Sequence, residues 1–279
     1  MGILKRLFRR DPKTQLQQMA GKFELPAFPQ VAMEVRALLR NEDSTNEQIG
    51  ACIKRDPGLT LRLLQSVNSA AMSRRRSIAD PVQAVALIGR ANLEFVVLGH
   101  ATRAAIPDAS ATGFSQDEFW EIAVRRASLA ERLAKTIKPS EAGISYAASL
   151  LQDMAVPVLA NVMSKEYRPV LAQVDGRWDV LDEHEQATFG WDHGEFGGWM
   201  CEAWTFPDSI TSAITSHHRD THEGIEVPGA VRAVSFLHSI HPTDADADRL
   251  AQVLDEAFGV STKETRELLR LHFGSDEAA

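Results

Sequence analysis

A chain of 279 residues with 44% hydrophobic and 24% charged side chains has the composition of an ordinary soluble globular protein, long enough for one large core or two modest ones. Its formal charge of −8 is uneven: residues 1–106 hold 16 Lys+Arg against 9 Asp+Glu, which leaves 14 against 29 for the remainder. The acidic second part is a poor nucleic-acid surface, and the two cysteines, Cys52 and Cys201, stand in no metal or disulfide spacing, so a reducing compartment fits.

The first eleven residues, MGILKRLFRRD, hold too few apolar side chains for a secretory segment, and no later run approaches the roughly 20 apolar residues of a membrane span, so a cytoplasmic location is expected. Ile3, Leu4, Leu7 and Phe8 beside four basic residues read either as a solvated tail or as a short amphipathic helix giving weak contact with an anionic membrane through residues 1–10.

From there the apolar positions repeat at helical spacing. Val31, Val35, Leu38 and Leu39 share one face, as do Leu59, Leu63, Val67 and Ala70, and Val85, Ile88 and Gly89 close a third. Ser44 or Thr45 is placed to cap a helix with Glu47 in its first turn, Pro57 suits the first turn of the next, and Asp80-Pro81 opens another. The small polar run Pro107–Ser115 predicts a joint between two lobes. Beyond it Ala123, Ala127, Ala130, Ala134 and Ile137 form a small-residue stripe suited to a buried central helix. Pro139-Ser140-Glu141 then starts a helix through Leu150 and Leu151, and a last helical pair is expected over Leu250–Phe258 and Thr262–Phe273. The expected architecture is all-α: a basic lead-in over 1–23, a helical lobe over 24–106, the joint at 107–115, a second helical lobe over 116–220 and a helical extension over 221–279.

An ordered set of short segments gives this pattern a relative. Leu25-Pro26-Ala27-Phe28-Pro29, Asp56-Pro57-Gly58-Leu59-Thr60, Val67-Asn68-Ser69-Ala70, and Ser77-Ile78 leading through Ala84 to Leu87-Ile88-Gly89 are followed by Phe119-Trp120 and Ala148-Ser149-Leu150-Leu151. Asp192-His193, Gly197 with Trp199, Trp204 with Pro207, and Ile214 with His217-His218 continue the series. Across about residues 24–220 the chain resembles the HDOD family, bacterial signalling proteins related to the HD phosphohydrolases. The resemblance implies an HD-like helical bundle with a smaller N-terminal lobe, working in signal transduction and often beside cyclic-dinucleotide signalling components.

The same comparison bears on metal. A hydrolytic HD site needs clustered imidazoles and carboxylates, because a bound divalent ion must both activate water and neutralise phosphate. The positions matching its ligands are Ile122, which offers no lone pair; Gln152-Asp153, where an amide replaces the imidazole; and, by a looser match, Ser235. No metal, no cofactor and no catalytic residue are therefore expected, and Asp153 is read as a helix cap or an arginine partner.

Eight of nine histidines lie after residue 180. His217 and His218 are neighbours, about 100° apart if helical, and no HExxH is present, so they and His193 read first as structural and second as a cryptic metal site or contacts for a ligand or partner. Arg74, Arg75 and Arg76 are the other candidate contact, for an anion, a partner or the acidic second lobe. Trp199 and Trp204 suit core anchors better than a base-stacking platform, and nucleic-acid binding is not expected. Two functions stay open. One is a non-catalytic regulator that binds a partner protein or ligand. The other is a degenerate metal-dependent phosphohydrolase or a nucleotide-binding module, for instance for cyclic dinucleotides.

Overall fold

The computed structural model describes residue 14 and residues 25–70, 77–107, 115–174, 178–219, 221–222, 225–238 and 243–273. The anion candidates Arg74–Arg76, the basic segment 1–10 and most of the joint at 107–115 lie outside the described residues. The chain divides into two compact units, Pro26–Ile106 and a second that holds the described residues from Pro107 onward.

Among its described residues the smaller unit has five helices: α1 (Gln30–Arg40), α2 (Asn46–Ile53), α3 (Pro57–Ala70), α4 (Pro81–Ile88) and α5 (Arg90–Ala105). Their apolar stripes meet in a core that includes Val35, Ile49, Ile53, Leu59, Leu63, Val85, Leu93 and Val97, all essentially inaccessible to water. Thr45 caps α2 in a reciprocal box with Gln48, and Asp80 caps α4 with Pro81 in its first turn. The last carbonyls of α1 would be orphaned; the Arg90 guanidinium takes them up, donating to Leu39 O at 3.1 Å and Asn41 O at 2.9 Å and also reaching Ser44 O. Asn68 bonds Ile78 in both directions, its amide donating to Ile78 O at 2.9 Å and its oxygen accepting from Ile78 N at 2.8 Å, which gives the Val67-Asn68 and Ser77-Ile78 segments a shared physical role.

The larger unit is built on α6 (Gln116–Ile137). Its stripe of Ala123, Ala127, Ala130 and Ala134 is buried, and the missing side-chain bulk lets α7 (Ala142–Leu151) lie close along it. After a turn at Gln152–Met154 come α8 (Ala155–Val162), α9 (Ser164–Val174), α10 (Leu181–Phe189), α11 (His193–Ala203) and α12 (Asp208–Thr215). A two-residue ladder pairs β1 (Thr221–His222) with β2 (Ile225–Glu226), and α13 (Gly229–Val234), α14 (Asp244–Phe258) and α15 (Thr262–Phe273) complete the unit. These last helices do not stand apart: Leu129, Leu133 and Ala134 of α6 share one apolar cluster with Ala233, Val234, Leu250, Leu254 and Leu269.

Two close approaches position the site. A Cβ on Gly194 would come within 2.9 Å of Thr215 O, and one on Gly198 within 2.0 Å of Thr215 Oγ1, so α11 and the end of α12 touch only because those residues are glycine. The carbonyl end of α12 is thereby pressed against the start of α11, where His193 sits. Among the described residues no single helix is long and apolar enough to cross a membrane.

Candidate functional site

Asp153 is the centre of the site. It sits in the turn between α7 and α8, 1% exposed, and its two oxygens face different neighbours. On one side Arg126 of α6, 2% exposed, brings Nη1 to 2.6 Å from Oδ2. The guanidinium is fixed by donating from Nε to Ser149 O at 3.2 Å and from Nη1 to Leu237 O at 3.3 Å. His238, just past α13, brings Nδ1 to 3.6 Å from the same Oδ2. Of the two roles expected for Asp153, the structure shows the arginine pairing.

On the other side Oδ1 lies 3.3 Å from His193 Nε2 and 3.4 Å from His217 Nε2. His193 is the first residue of α11, held there because Asp192 caps the helix in a reciprocal box with Glu195. Its ring is oriented by Glu185 of α10, whose Oε2 lies 2.7 Å from both its Nδ1 and its backbone N; Glu185 Oε1 in turn accepts from the Tyr167 hydroxyl. His193 Nε2 is 3.2 Å from His217 Nε2 and 3.2 Å from His218 Nε2. The 100° separation expected for two helical neighbours does not apply to His217 and His218, because α12 stops at Thr215 and both residues lie in the turn that follows. The three rings therefore converge.

Electrostatics follow the geometry. Burial by itself would raise the Asp153 carboxyl, yet Arg126, His193, His217 and His238 hold it well below the usual carboxylate range. Burial would likewise depress His193, and Glu185 with Asp153 overrides it, so this imidazole is held well above its ordinary value. His218 is pushed well below it by burial and then by the charges of His217 and His193. His238 is driven down to about 3, mainly by burial and against the pull of Asp153.

The four positions matched to hydrolytic HD ligands do come together around Asp153, but not as the metal site of a hydrolytic HD protein. Gln152 Nε2 donates to Ser235 O at 3.1 Å, and Ser235 Oγ donates to Arg232 O at 2.9 Å, so two of the matched positions are tied into the backbone. Ile122 lines a cavity of about 460 Å³ together with Asp153, Arg126 and His238; its walls also include Phe119, Leu171 and Trp178, with Arg168 exposed on it. Oδ2 of the remaining carboxylate already faces a guanidinium. The metal of hydrolytic HD proteins does not fit this ligand set.

The pattern that defines the HDOD domain matches residues 25–220, which is most of the chain. The protein belongs to the HDOD domain family. Solved structures share this HDOD fold at low identity. A Shewanella amazonensis protein provisionally called a phosphohydrolase is 22% identical, with a TM-score of 0.71 over 93% of this chain and 94% of its own. An HDOD domain protein of unknown function from Geobacter sulfurreducens is 21% identical, with a TM-score of 0.67 over 95% and 99%. At these identities the likeness is one of fold. An uncharacterized protein of Treponema pallidum (strain Nichols) is 24% identical over 81% of this chain, and the chain spans about half of that relative, 45% of its length.

Within this HDOD site several residues escape sequence reasoning: Arg126, Glu185, Tyr167, His238, and the cavity residues Trp178 and Arg168. Only Arg126 carried a readable signal. It is four residues after Ile122 and inside the alanine stripe, and a cation on a buried face needs a buried counter-charge.

Proposed function

We propose that this protein is a non-catalytic signalling protein that works by binding a regulatory partner protein or a small ligand, with the cavity beside Asp153 as the ligand's port. One observation carries the reading: the carboxylate left from the hydrolytic site is paired at 2.6 Å with a buried guanidinium, where a hydrolase would need an open cation. A fixed arginine supplies charge but no exchangeable coordination position, so it cannot generate a metal-bound hydroxide. A cavity of about 460 Å³ with apolar walls and a few polar groups has the anatomy of a ligand pocket. Signalling then requires only that the partner prefer one of the ligand-free and ligand-bound states.

A second reading, a nucleotide-binding module, is favoured by the cavity lining itself. Trp178 and Phe119 have ring centroids 6.2 Å apart, and Arg168 is exposed on the same cavity, which offers aromatic faces for a base and a guanidinium group for phosphate. Both readings meet in one experiment. Purified protein is assayed with nucleoside triphosphates and cyclic dinucleotides, with and without Mn²⁺, for turnover and for thermal shift. No turnover is expected. A thermal shift lost on Ala172→Trp, which fills the cavity wall, would favour the nucleotide reading; Mn²⁺-dependent turnover abolished by Asp153→Ala would overturn the non-catalytic one.

A further inference from the structure

We propose that His193, His217 and His218, with Asp153 Oδ1 beside two of them, form a site for one divalent transition-metal ion of the zinc class. This ligand set is distinct from the Ile122, Gln152 and Ser235 positions from which the absence of a metal was expected.

Four of the distances match edges of a coordination tetrahedron. Four ligands at about 2.0–2.1 Å from a central zinc lie about 3.3–3.4 Å from one another. Here His193 Nε2 is 3.2 Å from His217 Nε2, 3.2 Å from His218 Nε2 and 3.3 Å from Asp153 Oδ1, while His217 Nε2 is 3.4 Å from Asp153 Oδ1. The three imidazoles offer one ligand atom each within a common 4.8 Å sphere of separation.

The outer ring atoms support the same arrangement. His193 Nδ1 is engaged by Glu185 at 2.7 Å and His217 Nδ1 by Ile214 O at 2.8 Å, the carboxylate and carbonyl partners that orient metal-bound histidines. With Nδ1 donating, each Nε2 presents its lone pair inward, toward the other and toward Asp153 Oδ1.

Three imidazoles suit zinc or its tetrahedral substitutes, and Asp153 Oδ1, 3.3 and 3.4 Å from two of them, stands beside the remaining position. Such an ion holds structure: it ties the start of α11 and the turn after α12 to the turn after α7. It is therefore compatible with a non-catalytic protein, and its absence would leave that reading standing.

The full chain is purified without chelators or affinity metals, stripped with EDTA and dialysed against Zn²⁺ or Co²⁺. About one ion per chain, a raised Tm, and the visible absorption of tetrahedral Co²⁺ are expected. His218→Ala, at the half-buried ligand, should abolish uptake while the protein stays folded by circular dichroism, and Glu185→Gln should weaken affinity about 10–100-fold through ring orientation. Stripped wild-type protein that takes up neither ion and shows no thermal shift would overturn the proposal, without recourse to any variant. Uptake unchanged by both His218→Ala and His217→Ala would overturn it equally.

Discussion

Arg126 Nη1 lies 2.6 Å from Asp153 Oδ2 with both side chains 2% exposed, which makes this pair the fixed point of the larger unit. Two ions out of water attract strongly but cost much to desolvate, so the pair's net worth is modest while the cost of breaking it is large. Arg126→Leu leaves Asp153 buried with no permanent cation and also removes donors from Ser149 O and Leu237 O. The expected loss is about 3–5 kcal/mol in urea denaturation. In Arg126→Leu/Asp153→Asn the orphaned charge is gone, and the double variant should be more stable than Arg126→Leu alone. A double variant as unstable as the two single losses combined would show that the two residues do not act as a pair.

Arg126 also marks where sequence reasoning stops. The helices were legible because their signals are local: the alanine stripe of α6, the Thr45 and Asp80 caps and the Pro139 restart all appear where periodicity puts them. The ring of residues around Asp153 was half legible. Ile122, Gln152 and Ser235 could be placed by family resemblance, but Glu185, Tyr167 and His238 reach the site from helices and turns distant in sequence, with no spacing to betray them. His217 and His218 were misleading for a different reason: their geometry depends on α12 ending at Thr215, and helix ends are the least determined feature of a periodic pattern.

The contact of α11 with α12 should be intolerant of one methyl group. A Cβ at Gly198 meets Thr215 Oγ1 at 2.0 Å, closer than real Cβ contacts come, so Gly198→Ala must displace the Thr215 side chain or move one helix. Overpacking of this kind costs about 1–3 kcal/mol. Thr215→Ala removes the colliding oxygen, so Gly198→Ala/Thr215→Ala should recover part of that loss in thermal denaturation. If Thr215→Ala makes Gly198→Ala no better, the clash lies elsewhere.

In the smaller unit the reciprocal box at the start of α2 has Thr45 Oγ1 accepting from Gln48 N at 3.3 Å while Gln48 Oε1 accepts from Thr45 N at 2.8 Å. Thr45→Ala removes one of these and should cost about 1 kcal/mol. Amide exchange is the sharper measurement: protection should fall first in α2, at Gln48 and its neighbours, and be little changed in α14 and α15. A uniform loss across both units would contradict a local cap.

His272 of α15 donates from Nε2 to Arg125 O, 2.8 Å away on α6, because a carbonyl only accepts. Burial, then the charges of Arg132 and Arg125, hold this imidazole below its ordinary value of 6.5, against the support of the carbonyl bond. The folded form therefore binds its second proton less readily than the unfolded form. As pH falls through 6.5 the unfolded form protonates first, so stability is lost toward acid until the folded His272 also protonates, and is regained above 6.5. Exchange protection in α15 should drop between neutral pH and the region below 6 or so, and His272→Gln, which keeps a donor without a titration, should flatten that dependence. If His272→Gln preserves the full acid sensitivity of α15, the docking of that helix on α6 is governed by other groups.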